Sequence, residues 1–420
     1  MRVRIRHAAL LALAALLPPG GSFVPLFTLE GKAADDGFGS ALATGDVDGD
    51  GAADIAVGAP GADGGAGAVY IYSGRTQKLL RELHGAPGER FGQSVALTFL
   101  QTDSMSDLIV GAPGWKDGAG AVYLAVRPSK DDPVAPVRVA EGERPGDQLG
   151  WSVAAVPAVP GADVTGILAG EPGHDEAGHD DAGRAVLLRV KDPKAGKLKV
   201  EVVRQWVGEC QGAQLGAWVS RAGDVNSDAT LDSFLGEPGG LDTVGQATGA
   251  LRVVDGANGK QLLRLAGRNE GDAFGSCAAS VVVQPGSVDE NEVLVGAKGY
   301  AQIFASKDGA LRKSFEADAT GHDFGLVVGG SFRIQSAYKF AFTIATPCLP
   351  DDSAQGAFHG VRVYSGQTLE EIARIPAEGG RLGLALEHAT FKDQANEALI
   401  VGAWRPEHGG VRVEEFRPGK

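Results

Sequence analysis

A phenylalanine or leucine followed by glycine recurs seven times along the chain, at Phe38-Gly39, Phe91-Gly92, Leu149-Gly150, Leu215-Gly216, Phe274-Gly275, Phe324-Gly325 and Leu382-Gly383. Successive copies start 50 to 66 residues apart. Each opens an alternating segment such as Ser40-Ala41-Leu42-Ala43, then a polar loop, then a short apolar run that ends in a small-residue turn. The turn reads Val57-Gly58-Ala59-Pro60 in the first unit and Val110-Gly111-Ala112-Pro113 in the second, with weaker forms such as Ala345-Thr346-Pro347 in the last three. A third apolar segment, Ala68 to Tyr72 in the first unit, and a fourth, Leu79 to Leu83, complete the repeat. Four hairpin-linked strands make one antiparallel sheet that cannot bury both faces alone. Seven such sheets arranged radially cover one another, so the pattern predicts an all-β, seven-bladed β-propeller of four-stranded antiparallel blades. A β-helix is the competing repeat fold, but its coils are far shorter than these units.

The last unit offers only three strands before the chain ends, at Leu384 to Leu386, Ala398 to Val401 and Val411 to Val413. Residues 23–30 (FVPLFTLE) precede the first Phe-Gly where other units place their fourth strand, so this N-terminal strand is expected to complete the last blade and remove the open edges of the ring. Glycine supplies 63 of the 420 residues, about twice the usual share, yet follows no collagen period.

The loop between the first two strands of unit one reads Asp46-Val47-Asp48-Gly49-Asp50-Gly51-Ala52-Ala53-Asp54, with acids at positions 1, 3, 5 and 9. Converging carboxylates repel one another unless a cation joins them. Ca2+, a hard ion taking six to eight oxygens, suits this set, and Gly51 permits the sharp turn. Unit four repeats the arrangement as Asp224, Asn226, Asp228 and Asp232, with alanine in place of the turn glycine. Fewer charges and a stiffer turn predict weaker binding there. A solvated acidic turn is the alternative for both loops. The second unit aligns Phe99, Gln101, Asp103 and Asp107, too few acids for a metal loop. In unit three, His174 and His179 among Asp175, Glu176, Asp180 and Asp181 offer a transition-metal loop or simply a solvated one.

Arg2, Arg4, Arg6 and His7 precede an apolar run from Ala8 to Leu17, which then breaks at Pro18-Pro19-Gly20. Residues 1–22 therefore read as an export signal cleaved near Ser22, leaving 23–420 as one domain. Ten apolar residues are too few to span a bilayer, and no later segment is a transmembrane candidate. Cys210, Cys277 and Cys348 cannot build a disulfide framework. The formal charge of −14, with no basic cluster beyond the first seven residues, argues against nucleic acid as a partner.

Phe-Gly, then D-x-D-x-D-G-x-x-D, then Val-Gly-Ala-Pro resembles the FG-GAP repeats of the propeller head of integrin α chains and related secreted bacterial proteins. The resemblance implies calcium in loops on one face, held by Asp46, Asp48, Asp50, Asp54, Asp224, Asn226, Asp228 and Asp232. It also implies a secreted, periplasmic or cell-surface location and a role in adhesion or recognition of an extracellular protein or glycan. No stalk or inserted domain is recognisable, so integrin-type signalling does not carry over. Catalytic signatures such as G-x-S-x-G, H-E-x-x-H and G-x-x-x-x-G-K-[ST] do not occur. The expected protein is thus a monomeric, non-catalytic binding module. The alternative is a carbohydrate-binding or carbohydrate-active propeller: a lectin using tryptophans among Trp115, Trp151, Trp206, Trp218 and Trp404, or a lyase or glycosidase with two carboxyls at the central funnel.

Overall fold

The computed structural model describes residues 21–99, 105–126, 135–157, 165–191, 200–283, 291–317, 324–333, 340–346, 358–377, 381–391, 397–404 and 408–418. They form seven four-stranded antiparallel sheets. Blade one comprises β2 (Ala41–Gly45), β3 (Asp54–Ala59), β4 (Ala68–Tyr72) and β5 (Leu79–His84), in that order from the axis outward. The other innermost strands are β6 (Ser94–Thr98), β10 (Val153–Pro157), β14 (Trp218–Gly223), β18 (Cys277–Val282), β22 (Val327–Arg333) and β26 (Arg381–Ala389). Each packs on the next around the ring, and β26 returns to β2.

Burial follows radial position. The second and third strands of blade one are buried at every residue, so they read as continuous apolar runs, whereas β5 is mostly half-buried. Seven hydrophobic clusters fill the seven seams between blades. Val69 and Ile71 of blade one, for example, meet Leu108 and Val110 of blade two. The aromatic or leucine that opens each unit is 0–2% exposed and plugs the seam before its own blade.

The glycines explain how blades approach. The Gly39 N–H donates to the Gly58 carbonyl within blade one at 3.0 Å, and the same bond recurs as Gly92 to Gly111, Gly150 to Gly170 and Gly216 to Gly236. Across each seam the second glycine faces the next opening glycine: a Cβ on Gly58 would lie 2.2 Å from the Gly92 carbonyl, and one on Gly170 only 1.9 Å from that of Gly216. No side chain fits there. At the sixth seam Ala345 replaces the glycine and meets Gly383 instead. Side-chain hydroxyls add hydrogen bonds across seams: Ser94 Oγ donates to the Gly150 carbonyl at 2.9 Å, and Ser152 Oγ accepts the Val219 N–H at 3.0 Å.

The last blade closes as the sequence predicts. Strand β26 is followed by β27 (Ala398–Trp404), β28 (Gly409–Pro418) and, outermost, the N-terminal β1 (Gly21–Glu30). Pairing runs from Gly21 opposite Pro418 to Glu30 opposite Gly410, with a bulge between Pro25 and Phe27. The strand begins two residues before the expected 23–30 segment. Proline is tolerated because this is an edge. Phe23 packs edge-on against Phe416 at 5.4 Å between ring centroids, and Phe27 against Phe391 at 5.9 Å. Deleting residues 23–30 is expected to lower the melting temperature sharply, since it unpairs β28 and exposes Phe416, which is now fully buried; thermal unfolding of the truncated chain checks this.

Candidate metal centre

Chain direction places the loops between first and second strands at one end of the blades, opposite the Phe-Gly corners. In blade one the loop folds around its own carboxylates. Asp46 Oδ1 accepts the Gly49 N–H at 2.7 Å and Oδ2 accepts that of Gly51 at 2.8 Å. Asp48 Oδ1 takes the Asp50 N–H at 3.1 Å, and Asp50 Oδ1 takes the Ala52 N–H at 2.8 Å. Asp46, Asp48 and Asp50 thereby bring ligand atoms within 4.8 Å of one another, the one set of three or more such donors among the described residues. Burial pushes the Asp48 carboxyl up, reinforced by the charges of Asp50 and Asp46 and opposed by the Asp50 N–H and Arg75. Three hard oxygen donors converging at electrostatic cost are the chemistry a divalent cation relieves.

Asp54 occupies a different place. It is fully buried; Oδ2 accepts the Val47 N–H at 2.8 Å and Oδ1 the Gly74 N–H at 3.1 Å. Burial raises its carboxyl to about 6 despite those two donors. Asp54 thus ties the acidic loop to the turn between β4 and β5.

Blade four repeats nearly every bond. Asp224 accepts from Asp228 and Ala229, Asn226 Oδ1 from Asp228 and Asp228 Oδ1 from Thr230. Asp232 is again buried, accepting from Val225 at 2.8 Å and Gly256 at 2.9 Å, and burial raises its pKa. Asn226 Nδ2 donates to Asp228 at 3.1 Å, an internal contact that replaces one carboxylate repulsion. The backbone differs in cost. Gly49 and Gly51 sit at φ +77° and +79°, but Ser227 and Ala229 adopt +61° and +66° with side chains attached. The left-handed turn survives the alanine, under strain.

Two further residues were not singled out by sequence: Arg75 and Asp255, each in the turn after its blade's third strand. Arg75 Nη2 donates to the Asp50 carbonyl, and its Nε lies 2.5 Å from Asp50 Oδ2. Asp255 stands 3.4 Å from Asn226 Nδ2. The legible signal was a repeated Ser/Asp-Gly, as in Ser73-Gly74, Asp255-Gly256 and Ser365-Gly366.

The other candidates separate. In blade two, Gln101 and Asp103 lie outside the described residues, and Asp107 is buried. His174 is buried with Nδ1 3.5 Å from Asp147 and Nε2 3.5 Å from Glu176, while His179 is exposed; the pair is not part of a converging donor set. Cys277 is buried, which pushes its thiol up to about 12, and Cys348 lies outside the described residues. The axial channel, about 1390 Å³, is lined by Trp151 and Trp218, and its carboxyl and guanidinium groups among the described residues are Glu387 and Arg221. The Trp218 indole N–H is already engaged by Ser220 at 3.1 Å and the Ala278 carbonyl at 3.2 Å. Burial pushes the Glu387 carboxyl up to about 7, against the His388 N–H and the Arg221 charge. No helix among the described residues is long and apolar enough to cross a membrane.

Residues 38–72 match the FG-GAP repeat family. Among curated proteins, integrin alpha-7 of Mus musculus is 37% identical over 153 residues, covering 34% of this chain and 12% of the integrin. Integrin alpha-11 of Homo sapiens is 38% identical over 99 residues, 21% of this chain and 8% of that protein. The chain spans only about a tenth of the length of these relatives. A chain in the crystal structure of BBS1N in complex with ARL6DN superposes with a TM-score of 0.53 at 12% identity, covering 94% of this chain and 97% of that one, a likeness of fold.

Two outcomes follow. Gly51→Ala should cost about 1 kcal/mol by backbone strain alone, because a Cβ there meets nothing within 4 Å, whereas Ala229→Gly should raise stability; denaturant melts in chelator measure both. For Glu387, a raised folded-state pKa means stability fully present at pH below the ordinary 4.5 and lost as pH rises through about 7. Glu387→Gln should therefore remove a fall on the order of 2 kcal/mol, read from denaturant midpoints of both proteins at pH 5 and pH 8.

Proposed function

We propose that this chain, an FG-GAP repeat protein with an integrin α-like seven-bladed propeller, is a calcium-stabilised, non-catalytic recognition module. The observation that carries the reading is the loop of blade one, where backbone amides aim Asp46, Asp48 and Asp50 at a common point. The donor set fits calcium: it is all oxygen, the carboxylates of Asp46, Asp48 and Asp50. Asp46, Asp48 and Asp50 would hold the ion in blade one, with Asp54 tying the loop beneath it; Asp224, Asn226 and Asp228 would do so in blade four, with Asp232 in the place of Asp54. The bound ion would supply a cross-link between loop segments that otherwise repel one another.

Recognition of an extracellular protein or glycan, secretion directed by residues 1–22, and action as a monomer complete the proposal. It is supported by the partial likeness to integrin α chains and by the channel, whose described lining residues include one carboxyl group rather than the pair a glycosidase needs. Catalysis has no other anchor in the sequence.

Chelation tests the calcium assignment. Metal bound only by the folded loops stabilises by mass action, so calcium at 100-fold over its Kd should add about 2.7 kcal/mol per site. The melting temperature should fall on adding chelator and recover with calcium. Equal melting in both conditions, with no calcium found by elemental analysis of the purified protein, would falsify the assignment. A glycan array and a pull-down with the full chain address the ligand.

A further inference from the structure

The two acidic loops share a hydrogen-bond pattern but differ in what the neighbouring turn brings to them. In blade one that turn is tightly held. Its Gly74 N–H donates to Asp54 Oδ1 at 3.1 Å, the Thr76 N–H donates to Ser73 Oγ at 3.1 Å, and a Cβ on Gly74 would strike the Ala53 carbonyl at 1.8 Å and the Phe391 ring at 2.7 Å. Arg75, the next residue, is thereby set at the mouth of the loop. Its guanidinium engages both the carbonyl and Oδ2 of Asp50, while Asp50 Oδ1 already accepts the Ala52 N–H. In blade four the buried Asp232 holds Gly256 in the same way, so Ala257 occupies the place of Arg75 and Asp255 that of Ser73. One turn delivers a cation to its loop, the other an extra carboxylate.

We propose that Arg75 is a built-in competitor for the cation of the first loop, an internal counter-ion that neutralises Asp50 when metal is absent and weakens calcium binding when it is present. The inference rests on the calcium reading above and goes beyond it. A divalent ion that uses Asp50 must share its oxygens with a guanidinium or displace it, and the two positive charges repel at short range. The first loop, the richer in acids by sequence, is thus tuned downward. Among the described residues no guanidinium is seen on the carboxylates of the fourth loop, with its neutral Asn226; Arg204 instead donates to the Gly256 and Ala257 carbonyls of the adjoining turn, and Asp255 adds a nearby charge. The two sites are brought closer in affinity than their loop sequences alone imply.

Calcium titration of the full-length protein tests this. In an Asp224→Asn background, which reports on the first loop, Arg75→Gln should tighten calcium binding about ten-fold, measured by calorimetry or by competition with a chromophoric chelator. Arg75→Lys, which keeps the charge, should stay near the parent affinity and provides a second variant should the glutamine protein fold poorly. In chelator the Arg75→Gln protein should melt below its parent, and excess calcium should narrow or reverse that gap. Unchanged or weaker binding by Arg75→Gln, in a parent that does bind calcium, overturns the competitor role and leaves the calcium reading intact. No binding by the parent or by either Arg75 variant overturns both. Binding that emerges only after Arg75 is replaced supports the proposal in its strongest form.

Discussion

The closest approach between neighbouring blades is of backbone to backbone, and everything else in the ring is arranged around it. At the Gly58–Gly92 and Gly170–Gly216 junctions a Cα lies where one added carbon would overlap a carbonyl of the next blade. That spacing lets Val, Ile, Leu and Ala from facing sheets interdigitate between blades one and two and between blades two and three, and it sets the opening Phe or Leu as a plug at the corner of each seam. Interiors are packed as densely as organic crystals. A seam built on glycine pairs therefore has little slack, and the hydroxyls of Ser94 and Ser152 can reach backbone across it at hydrogen-bonding distance.

Much of this was legible in the chain because the repeat exposes it seven times over. The Phe-Gly starts, the largely apolar second and third strands, and the shortfall of one strand in the last unit led directly to blade count, strand order and closure by residues 23–30. Asp46, Asp48 and Asp50 were equally plain, since their convergence is a property of nine consecutive residues. Arg75 was not, because its meeting with Asp50 depends on how the turn after β4 folds back against the loop before β3. Glu387 and Arg221 belong to blades seven and four and share only the axial channel; no local pattern joins them. His174 was read with His179 because they are close in sequence, whereas its ring faces Asp147 from the preceding connection.

Asp54 shows how one residue type at one spacing can take two parts. Position 9 of the loop reads as a fourth ligand, yet the buried carboxylate is occupied by the amides of Val47 and Gly74, which couple the loop to the next turn. Asp232 makes the same pair of bonds with Val225 and Gly256. The cost of burying these carboxylates, visible in their raised pKa values, is accepted in both blades for the same purpose: fixing the turn that carries Arg75 in one case and Asp255 in the other.

The pairing of Gly21 with Pro418 has a geometric consequence for anything joined to this domain. Both ends of the described chain leave from a single point on the outer rim of blade seven. A polypeptide extending from either end starts at the rim on the side of the blades that carries the acidic loops, with the Phe-Gly corners at the opposite end. The propeller can therefore be tethered by its edge with the Phe-Gly face left open, as a wheel is held at its tyre.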